Sequence, residues 1–192
     1  MKALLEEVAA CRACAALLPL GPRPVLRASP TARLLIIGQA PGTRVHATGI
    51  PWNDPSGERL RAWLGMDRSR FYDASRIAIM PMGFCYPGRL PSGGDAPPRP
   101  ECRVMWHPRL LAAMPLIRLT LLVGAHALAH YLDARASMTD LVRRQPGLPR
   151  FFALPHPSWR NNAWMKRHPW FMDTTLPLLR RCVAEALSEA DR

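Results

Sequence analysis

The chain has 192 residues, and 48% of them are hydrophobic, which fits one domain with a substantial core rather than two domains. Lysine and arginine together number 26, against 14 aspartates and glutamates, so the formal charge is +12. No run of 18 apolar residues occurs, so the sequence predicts no transmembrane helix.

Hydrophobic spacing predicts a helix over residues 3–17, followed by strands and helices that alternate. The predicted strands cover residues 33–37, 76–80, 116–123 and 151–154. The predicted helices after the first strand cover residues 58–64, 101–114 and 125–132, and Ser56 is the predicted N-cap of the first of these. A further turn is predicted at residues 139–143. Pro169 opens the last predicted helix, which runs through residues 175–189. This alternation predicts a mainly parallel sheet covered by helices on both faces.

The positive charge favours a polyanionic partner, with nucleic acid ahead of a membrane surface. A GC-rich genome would explain why Lys2 and Lys166 are the only lysines in the sequence, but it would not explain the excess of positive over negative charge. The composition therefore favours a nucleic-acid-binding protein.

The amino-terminal residues include Glu6 and Glu7, where a signal peptide has basic and then apolar residues. We therefore expect a cytoplasmic protein with reduced thiols. Five cysteines in a reducing compartment point to metal binding or to chance rather than to disulfides.

Three loops that contain proline follow predicted strands, at residues 38–57, 81–100 and 155–162, and the first two are long and rich in glycine. Loops after parallel strands open at the carboxyl edge of the sheet, where ligands bind, so we expect these loops on one rim. The first carries Trp52 and Asp54, and the third carries His156.

Such a set suits cleavage of a bond between a sugar and a base. A carboxylate can stabilise the oxocarbenium ion or position water, a neutral imidazole can hydrogen-bond the departing oxyanion, and an aromatic ring can stack on the base. Simpler roles remain open, because Trp52 could pack the loop onto the sheet and Asp54 could cap the next helix. His156 stands between two prolines that fix its backbone, which favours a functional role.

Two groups of motifs resemble the signatures of the uracil–DNA glycosylase superfamily. The first comprises Gly38-Gln39-Ala40-Pro41-Gly42, Thr48-Gly49, Pro51-Trp52 and Ser56-Gly57, and the second is His156-Pro157-Ser158. The spacing from Gly38 to the Thr-Gly pair is similar to that of the iron–sulfur branch. The resemblance covers roughly residues 11–160 and implies a single domain over residues 1–192, with a three-layer α/β/α sandwich around a central, mainly parallel four-stranded sheet.

The resemblance also implies roles for individual residues. Asp54 and His156 would be catalytic, and Ser158, Trp159 and Arg160 would lie along the DNA minor groove, with Trp159 or Arg160 as the wedge. The backbone around Gln39 and Ala40 would bind a uracil carbonyl, and Trp52 would stack on the base.

The chain departs from the family at two positions of the base pocket. Gln39 stands where the iron–sulfur branch has an acidic residue, and Met80-Pro81 replaces the asparagine that reads the base at the end of the second strand. Either Asn53 or the backbone of Gly83 and Phe84 takes over this recognition, or the base is not uracil.

Four cysteines, Cys11, Cys14, Cys85 and Cys102, follow the order and approximate spacing of the ligands of a [4Fe–4S] cluster in that branch. The alternatives are free thiols left from an ancestor that held a cluster, so that no cofactor is bound, and a zinc site. Cys182, in the last predicted helix, is expected in the core.

The resemblance thus implies a monofunctional DNA N-glycosylase of the uracil–DNA glycosylase type. It would flip a deaminated base out of single- or double-stranded DNA and excise it, with uracil as the leading candidate, and so initiate base-excision repair. It would act as a monomer with no membrane partner. Two alternatives stay open. One is a non-catalytic nucleic-acid-binding relative of the same fold, and the other is a hydrolase of nucleosides or nucleotides.

Overall fold

The computed structural model describes residues 1–132, 135–145 and 150–188. Its four strands are β1 (Leu34–Ile37), β2 (Ile77–Ile79), β3 (Leu119–Val123) and β4 (Phe151–Leu154). They form a parallel sheet in the order β2–β1–β3–β4, in which Leu35 of β1 lies beside Ala78 and Thr120. The four residues of β1 are fully buried, as expected of a parallel strand covered on both faces.

The helices surround this sheet. They are α1 (Lys2–Ala9), α2 (Thr43–Thr48), α3 (Pro55–Leu64), α4 (Arg68–Phe71), α5 (Pro100–Ala112), α6 (Ala125–Tyr131), α7 (Met138–Arg144), α8 (Asn162–Arg167) and α9 (Leu176–Leu187). Short 3-10 turns occur at Ala15–Leu17 and Trp159–Asn161, and a π-helical turn at Phe171–Thr175 leads into α9. The sheet lies between helical layers, which confirms the predicted three-layer α/β/α sandwich with a central four-stranded sheet.

Three arginines fix the last helix to the amino edge of the sheet. Arg33, Arg76 and Arg118 stand directly before β1, β2 and β3, and their guanidinium groups donate hydrogen bonds to the carbonyls of Leu187 and Ser188 at the end of α9. Cations at a helix carboxyl end interact favourably with the helix dipole. The opposite, carboxyl edge of the sheet is left to the long loops.

The proline-rich segment before β1 covers the edge of β2. Arg27 exchanges two backbone hydrogen bonds with Ile79, at 2.8 and 2.7 Å, in an antiparallel bridge, and the amide of Val25 donates to the carbonyl of Phe84. An edge strand with unpaired amides is prone to pair with other chains, so this segment protects the sheet.

The predicted helix at residues 3–17 was too long. The helix ends at Ala9, the amide of Cys11 bonds the carbonyl of Val8 in a turn, and Ala15–Leu17 forms a separate 3-10 turn. The predicted start of the third strand at residue 116 was also wrong, because the amide of Ile117 closes a turn on the carbonyl of Met114.

Ser56 is not the N-cap of α3, because Asp54 caps this helix and Pro55 occupies its first position. The first long loop also contains α2, which the sequence did not predict. Residue 189, where the predicted last helix ends, lies outside the described residues. Among the helices within the described ranges, none has the length and apolar character needed to span a lipid bilayer.

Candidate functional site

A cavity of about 720 Å³ opens at the carboxyl edge of the sheet. The loops after β1, β2 and β4 contribute to its wall, as expected for the ligand edge of a parallel sheet. Eight of the predicted site residues line it together: Gln39, Ala40, Trp52, Asp54, His156, Ser158, Trp159 and Arg160.

Trp52 forms part of this wall and also packs the first loop onto the sheet. Its ring lies so close to Gly38 that a Cβ atom there would come within 2.7 Å of the ring carbon Cζ2. The other neighbour is the imidazole of His156, with ring centroids 5.6 Å apart and an interplanar angle of 34°. Trp52 therefore packs against the sheet and lines the cavity at the same time.

Asp54 is the N-cap of α3. Its Oδ1 accepts a hydrogen bond of 2.8 Å from the amide of Gly57, and Pro55 at the first helical position has no amide that needs a partner. The same carboxylate lines the cavity. The capping role is therefore present, and the cap holds the side chain at the cavity wall.

His156 stands two residues after the end of β4, where Asn161 and Gly124 hold it in place. Asn161 Nδ2 donates a hydrogen bond of 2.6 Å to the carbonyl of His156. Gly124, at a φ of 88° after β3, lies so close that a Cβ atom there would be 3.3 Å from the Cβ of His156. Burial lowers the pKa of His156 below its ordinary value, and the carboxylate of Asp54 opposes that shift. The site therefore favours a neutral imidazole near pH 7.

Three of the proposed base-binding residues lie outside the cavity lining. The side chain of Asn53 bonds Thr48 Oγ1 at 3.4 Å and Arg68 Nη2 at 3.3 Å. Gly83 uses its amide to bond the carbonyl of Gln39 at 3.0 Å, which joins the loops after β1 and β2. Phe84 is buried and stacks on His107, with ring centroids 5.7 Å apart.

The rim at the mouth of the cavity is aromatic and basic. Trp159 is 72% exposed, and the guanidinium carbon of Arg160 lies 5.7 Å from the centre of its ring. Arg59 of α3 supports this loop through hydrogen bonds of 3.1 Å to the carbonyl of Ser158 and 2.7 Å to Asn162 Oδ1. A large exposed aromatic beside a cation is suited to stacking on bases and pairing with phosphates.

Sequence reasoning did not single out Asp95 of the loop after β2, which lines the same cavity together with Arg89 and Gly94. The available signal was the Gly93-Gly94 pair, because paired glycines favour a tight turn that returns the chain on itself. The turn was predictable, but the surface against which it folds was not.

A second, smaller cavity is lined by four cysteines, Cys11, Cys14, Cys85 and Cys102, with apolar residues around them. The amide of Phe84 donates a hydrogen bond to Cys102 Sγ at 3.4 Å. Burial raises the pKa of the Cys102 thiol to about 12, and negative charge on the other three sulfurs acts in the same direction. Within the described ranges, no group of three or more His, Cys, Asp or Glu side chains is placed so that it could hold a metal ion.

Arg99 also lines the cysteine cavity. Its Nη2 pairs with Glu101 Oε1 at 2.5 Å, but its buried Nε has no hydrogen-bond acceptor among the described residues. A buried donor without an acceptor calls for a physical explanation. A negatively charged group held among the four sulfurs would provide one.

Comparison with known protein families assigns most of the chain to one family. The family model described as the Uracil DNA glycosylase superfamily matches residues 27–180. This range contains the sheet, both groups of motifs and all residues that line the cavity at the carboxyl edge except Val25. The chain belongs to this superfamily, and membership supports hydrolysis of the glycosylase type on DNA as its general function.

Proposed function

From membership of the uracil–DNA glycosylase superfamily, we propose that the protein is a monofunctional DNA N-glycosylase that excises a deaminated base, with uracil as the first candidate. The observation that supports this proposal most is that Trp52, Asp54 and His156 line one cavity at the carboxyl edge of the sheet. The target atoms of a base inside a duplex cannot be reached, so the nucleotide must turn out of the stack into this cavity.

In the proposed reaction the bond between C1′ of the sugar and the base nitrogen breaks, and its electron pair leaves with the base. The carboxylate of Asp54 stabilises the positive charge at C1′ and accepts a proton from the water that attacks this carbon. The neutral imidazole of His156 donates a hydrogen bond to the base oxygen on which negative charge accumulates. The backbone around Gln39 and Ala40 binds a carbonyl of the base, and no covalent lysine takes part.

DNA is the proposed partner of the rim. The formal charge of +12 favours a polyanion, and Ser158, Trp159 and Arg160 lie at the mouth of the cavity. Trp159, which is 72% exposed, has the size and position to fill the space left by the flipped nucleotide. The protein would act on DNA as a single-domain monomer.

We also propose that Cys11, Cys14, Cys85 and Cys102 hold a [4Fe–4S] cluster, as in the iron–sulfur branch of the superfamily. Four thiolates are the usual ligands of such a cluster, and the unpartnered Nε of Arg99 offers a hydrogen bond to one of its sulfurs. The four sulfurs share one cavity, which both a cluster and a zinc ion would require, so the choice of the cluster over zinc rests on the resemblance to the iron–sulfur branch. When bound, the cluster would cross-link the amino-terminal segment, the loop after β2 and α5.

An assay of base excision tests the proposed activity. Pure protein is incubated with single- and double-stranded oligonucleotides that carry one uracil, hypoxanthine or xanthine, and abasic sites are then cleaved with alkali. We expect strand scission at uracil, and loss of scission in His156→Ala. Salt-sensitive binding without scission on any substrate would favour the non-catalytic relative. Release of bases from free nucleosides, with none from DNA, would favour the nucleoside hydrolase.

A further inference from the structure

The loop after β2 folds into a small hairpin at the mouth of the main cavity, which we call the rim hairpin (residues 88–96). The amide of Ala96 bonds the carbonyl of Gly88 at 2.8 Å, and the amide of Leu90 bonds the carbonyl of Gly94 at 2.9 Å. Arg89 lies opposite Asp95 in an antiparallel bridge. The backbone of the hairpin is therefore set by its own hydrogen bonds, independently of the side chain of Asp95.

The rim hairpin contacts both other loops of the rim. Oδ2 of Asp95 lies 3.7 Å from the position that a Cβ atom on Gly42 would occupy, in the loop after β1. Arg160, in the loop after β4, lies so close to Gly94 that a Cβ atom there would be 2.5 Å from its Nη1. Asp95 thus lines the same cavity as Asp54 and His156, on the side contributed by β2.

The carboxyl group of Asp95 is available to a ligand. In the described part of the chain the close ion pairs are Arg99–Glu101 and Arg109–Glu7, and Asp95 takes part in neither. Partial burial raises the pKa of Asp95 and the charge of Asp54 adds to this, while the guanidinium groups of Arg89 and Arg160 oppose it. As a carboxylate the group only accepts hydrogen bonds, so it can pair with an N–H donor of a ligand but not with a ring-nitrogen lone pair.

We infer that Asp95 reads the flipped base by accepting a hydrogen bond from a ring N–H of its Watson–Crick edge. This inference rests on the base-flipping part of the proposed function. Deamination converts N3 of cytosine, and N1 of adenine, from an acceptor into an N–H donor, as in uracil and hypoxanthine. A carboxylate oxygen held opposite this ring position attracts the N–H and repels the ring-nitrogen lone pair of the parent base. The amino group of cytosine or adenine lies one position away on the same edge, so a carboxylate held at the ring nitrogen does not pair with it unless the base shifts.

The inference defines a substrate class. Asp95 selects deaminated bases over cytosine and adenine, and it does not by itself separate uracil from thymine, because both carry the N3–H donor. It also assigns base reading to the loop after β2, although Met80 and Pro81, directly after the strand, offer no polar side chain for it.

Binding to an uncleavable substrate tests this role. The probes are single-stranded oligonucleotides that carry one 2′-fluoro-2′-deoxyuridine, the matching 2′-fluoro-2′-deoxycytidine, or a tetrahydrofuran abasic analogue. We expect the wild-type protein to bind the uracil probe roughly 10-fold or more tightly than the cytosine probe. Asp95→Ala should reduce this preference to less than about 2-fold, and Asp95→Asn, whose amide oxygen still accepts, should keep it.

Two controls separate base reading from structure. Ser92→Ala, in the same rim hairpin but outside the cavity lining, should keep the preference. Affinity for the tetrahydrofuran probe should be equal in all variants, because that probe has no base to read. A wild-type protein with no preference, or an Asp95→Ala variant that keeps it, would overturn the inference.

Excision of ordinary deoxyuridine, measured in parallel, distinguishes the inference from the proposed function. If the preference for the uracil probe depends on Asp95 but the wild-type protein does not excise deoxyuridine, the result would contradict the proposed catalysis and support Asp95 as the reader. Excision by the wild-type protein with an unchanged uracil preference in Asp95→Ala would support the catalysis and contradict the reader.

Discussion

The buried guanidinium of Arg61 donates a hydrogen bond from Nη1 to the backbone carbonyl of Trp52, over 3.2 Å. Trp52 has a φ of 56°, which is uncommon for a residue other than glycine and costs conformational energy. Gly57 approaches the same carbonyl so closely that a Cβ atom there would lie 1.8 Å from the oxygen. Helix α3 therefore holds Trp52 in a strained conformation at the cavity wall.

Replacement of Arg61 should release this strain and allow Trp52 to move from its position at the cavity wall. Arg61→Ala leaves the carbonyl of Trp52 without its donor and removes the stacking on Phe71 and Tyr72, so we expect the free energy of unfolding to fall by roughly 1–3 kcal/mol. Uracil excision should fall by at least about 10-fold, because Trp52 is no longer fixed.

Urea unfolding and single-turnover excision measure the two effects. Arg70→Ala, an exposed arginine of α4, is the matched control, and equal values for the two variants would contradict this role of Arg61.

The observed capping role of Asp54 and its proposed catalytic role can be separated by substitution. Asparagine caps helices about as well as aspartate, so Asp54→Asn should unfold at the wild-type temperature while its excision rate falls by about 100-fold or more, because the charge is lost. Asp54→Ala should lose the rate and also about 1 kcal/mol of stability, because the amide of Gly57 loses its acceptor. Thermal unfolding reports on the capping of α3, and the excision rate reports on the proposed catalytic charge. If Asp54→Asn excises the base at the wild-type rate, the carboxylate charge has no catalytic role and Asp54 acts only as a helix cap.

The sequence predicted the sheet, and it predicted that residues of separate loops would meet at one edge, because both depend on strand patterns and their order along the chain. Buried parallel strands are continuous apolar runs, and the predicted fourth strand, residues 151–154, coincides with Phe151–Leu154. Trp52 and Asp54 lie in the loop after β1, and His156 lies in the loop after β4, so their meeting at the carboxyl edge was expected from the topology.

Features that depend on distant contacts were not predictable in the same way. Helix α2 has six residues with one buried side chain, Val45, so its hydrophobic pattern is weak, and its best signal was Gly49, which ends it at a φ of 69°. Asn53 stands between Trp52 and Asp54 along the chain, yet its amide bonds Arg68 of α4, away from the cavity lining. Asp95 reaches the cavity because the rim hairpin folds against Arg160, which is far away in sequence.

The cysteine cavity makes a prediction about iron. Protein purified without oxygen should contain about four iron atoms per chain and show the broad visible absorption of an iron–sulfur cluster. Cys102→Ser should lose the iron and the absorption, because Cys102 lines the cavity, whereas Cys182→Ser should keep both, because Cys182 lies outside it. A colourless, iron-free wild-type protein that remains stably folded would contradict the proposed cluster.

His107 should make the stability of the protein depend on pH. The imidazole is buried, its Nε2 lies 3.0 Å from the carbonyl of Pro81, and its Nδ1 lies 2.6 Å from the hydroxyl of Tyr131. Burial lowers the pKa of His107 to about 4. Because the unfolded chain takes up a proton near pH 6.5 and the folded chain does so only near pH 4, acid favours unfolding across this range.

We therefore expect His107 to contribute a loss of about 3 kcal/mol in the free energy of unfolding between pH 7 and pH 4, with little further loss below pH 4. His107→Gln, which cannot titrate, should lack this component. Urea unfolding at a series of pH values measures the difference between the two proteins. Parallel pH dependences in the wild type and the variant would show that His107 does not carry the effect.

Release of free uracil from DNA, measured under single-turnover conditions with wild-type and His156→Ala protein, tests the proposed function most directly. We predict that the wild-type protein releases one uracil from each strand that carries it. His156→Ala should do so at least about 100-fold more slowly, because the departing base loses its hydrogen-bond donor. Absence of uracil release by the wild-type protein, or an undiminished rate in His156→Ala, would contradict the assignment of this cavity as a base-excision site.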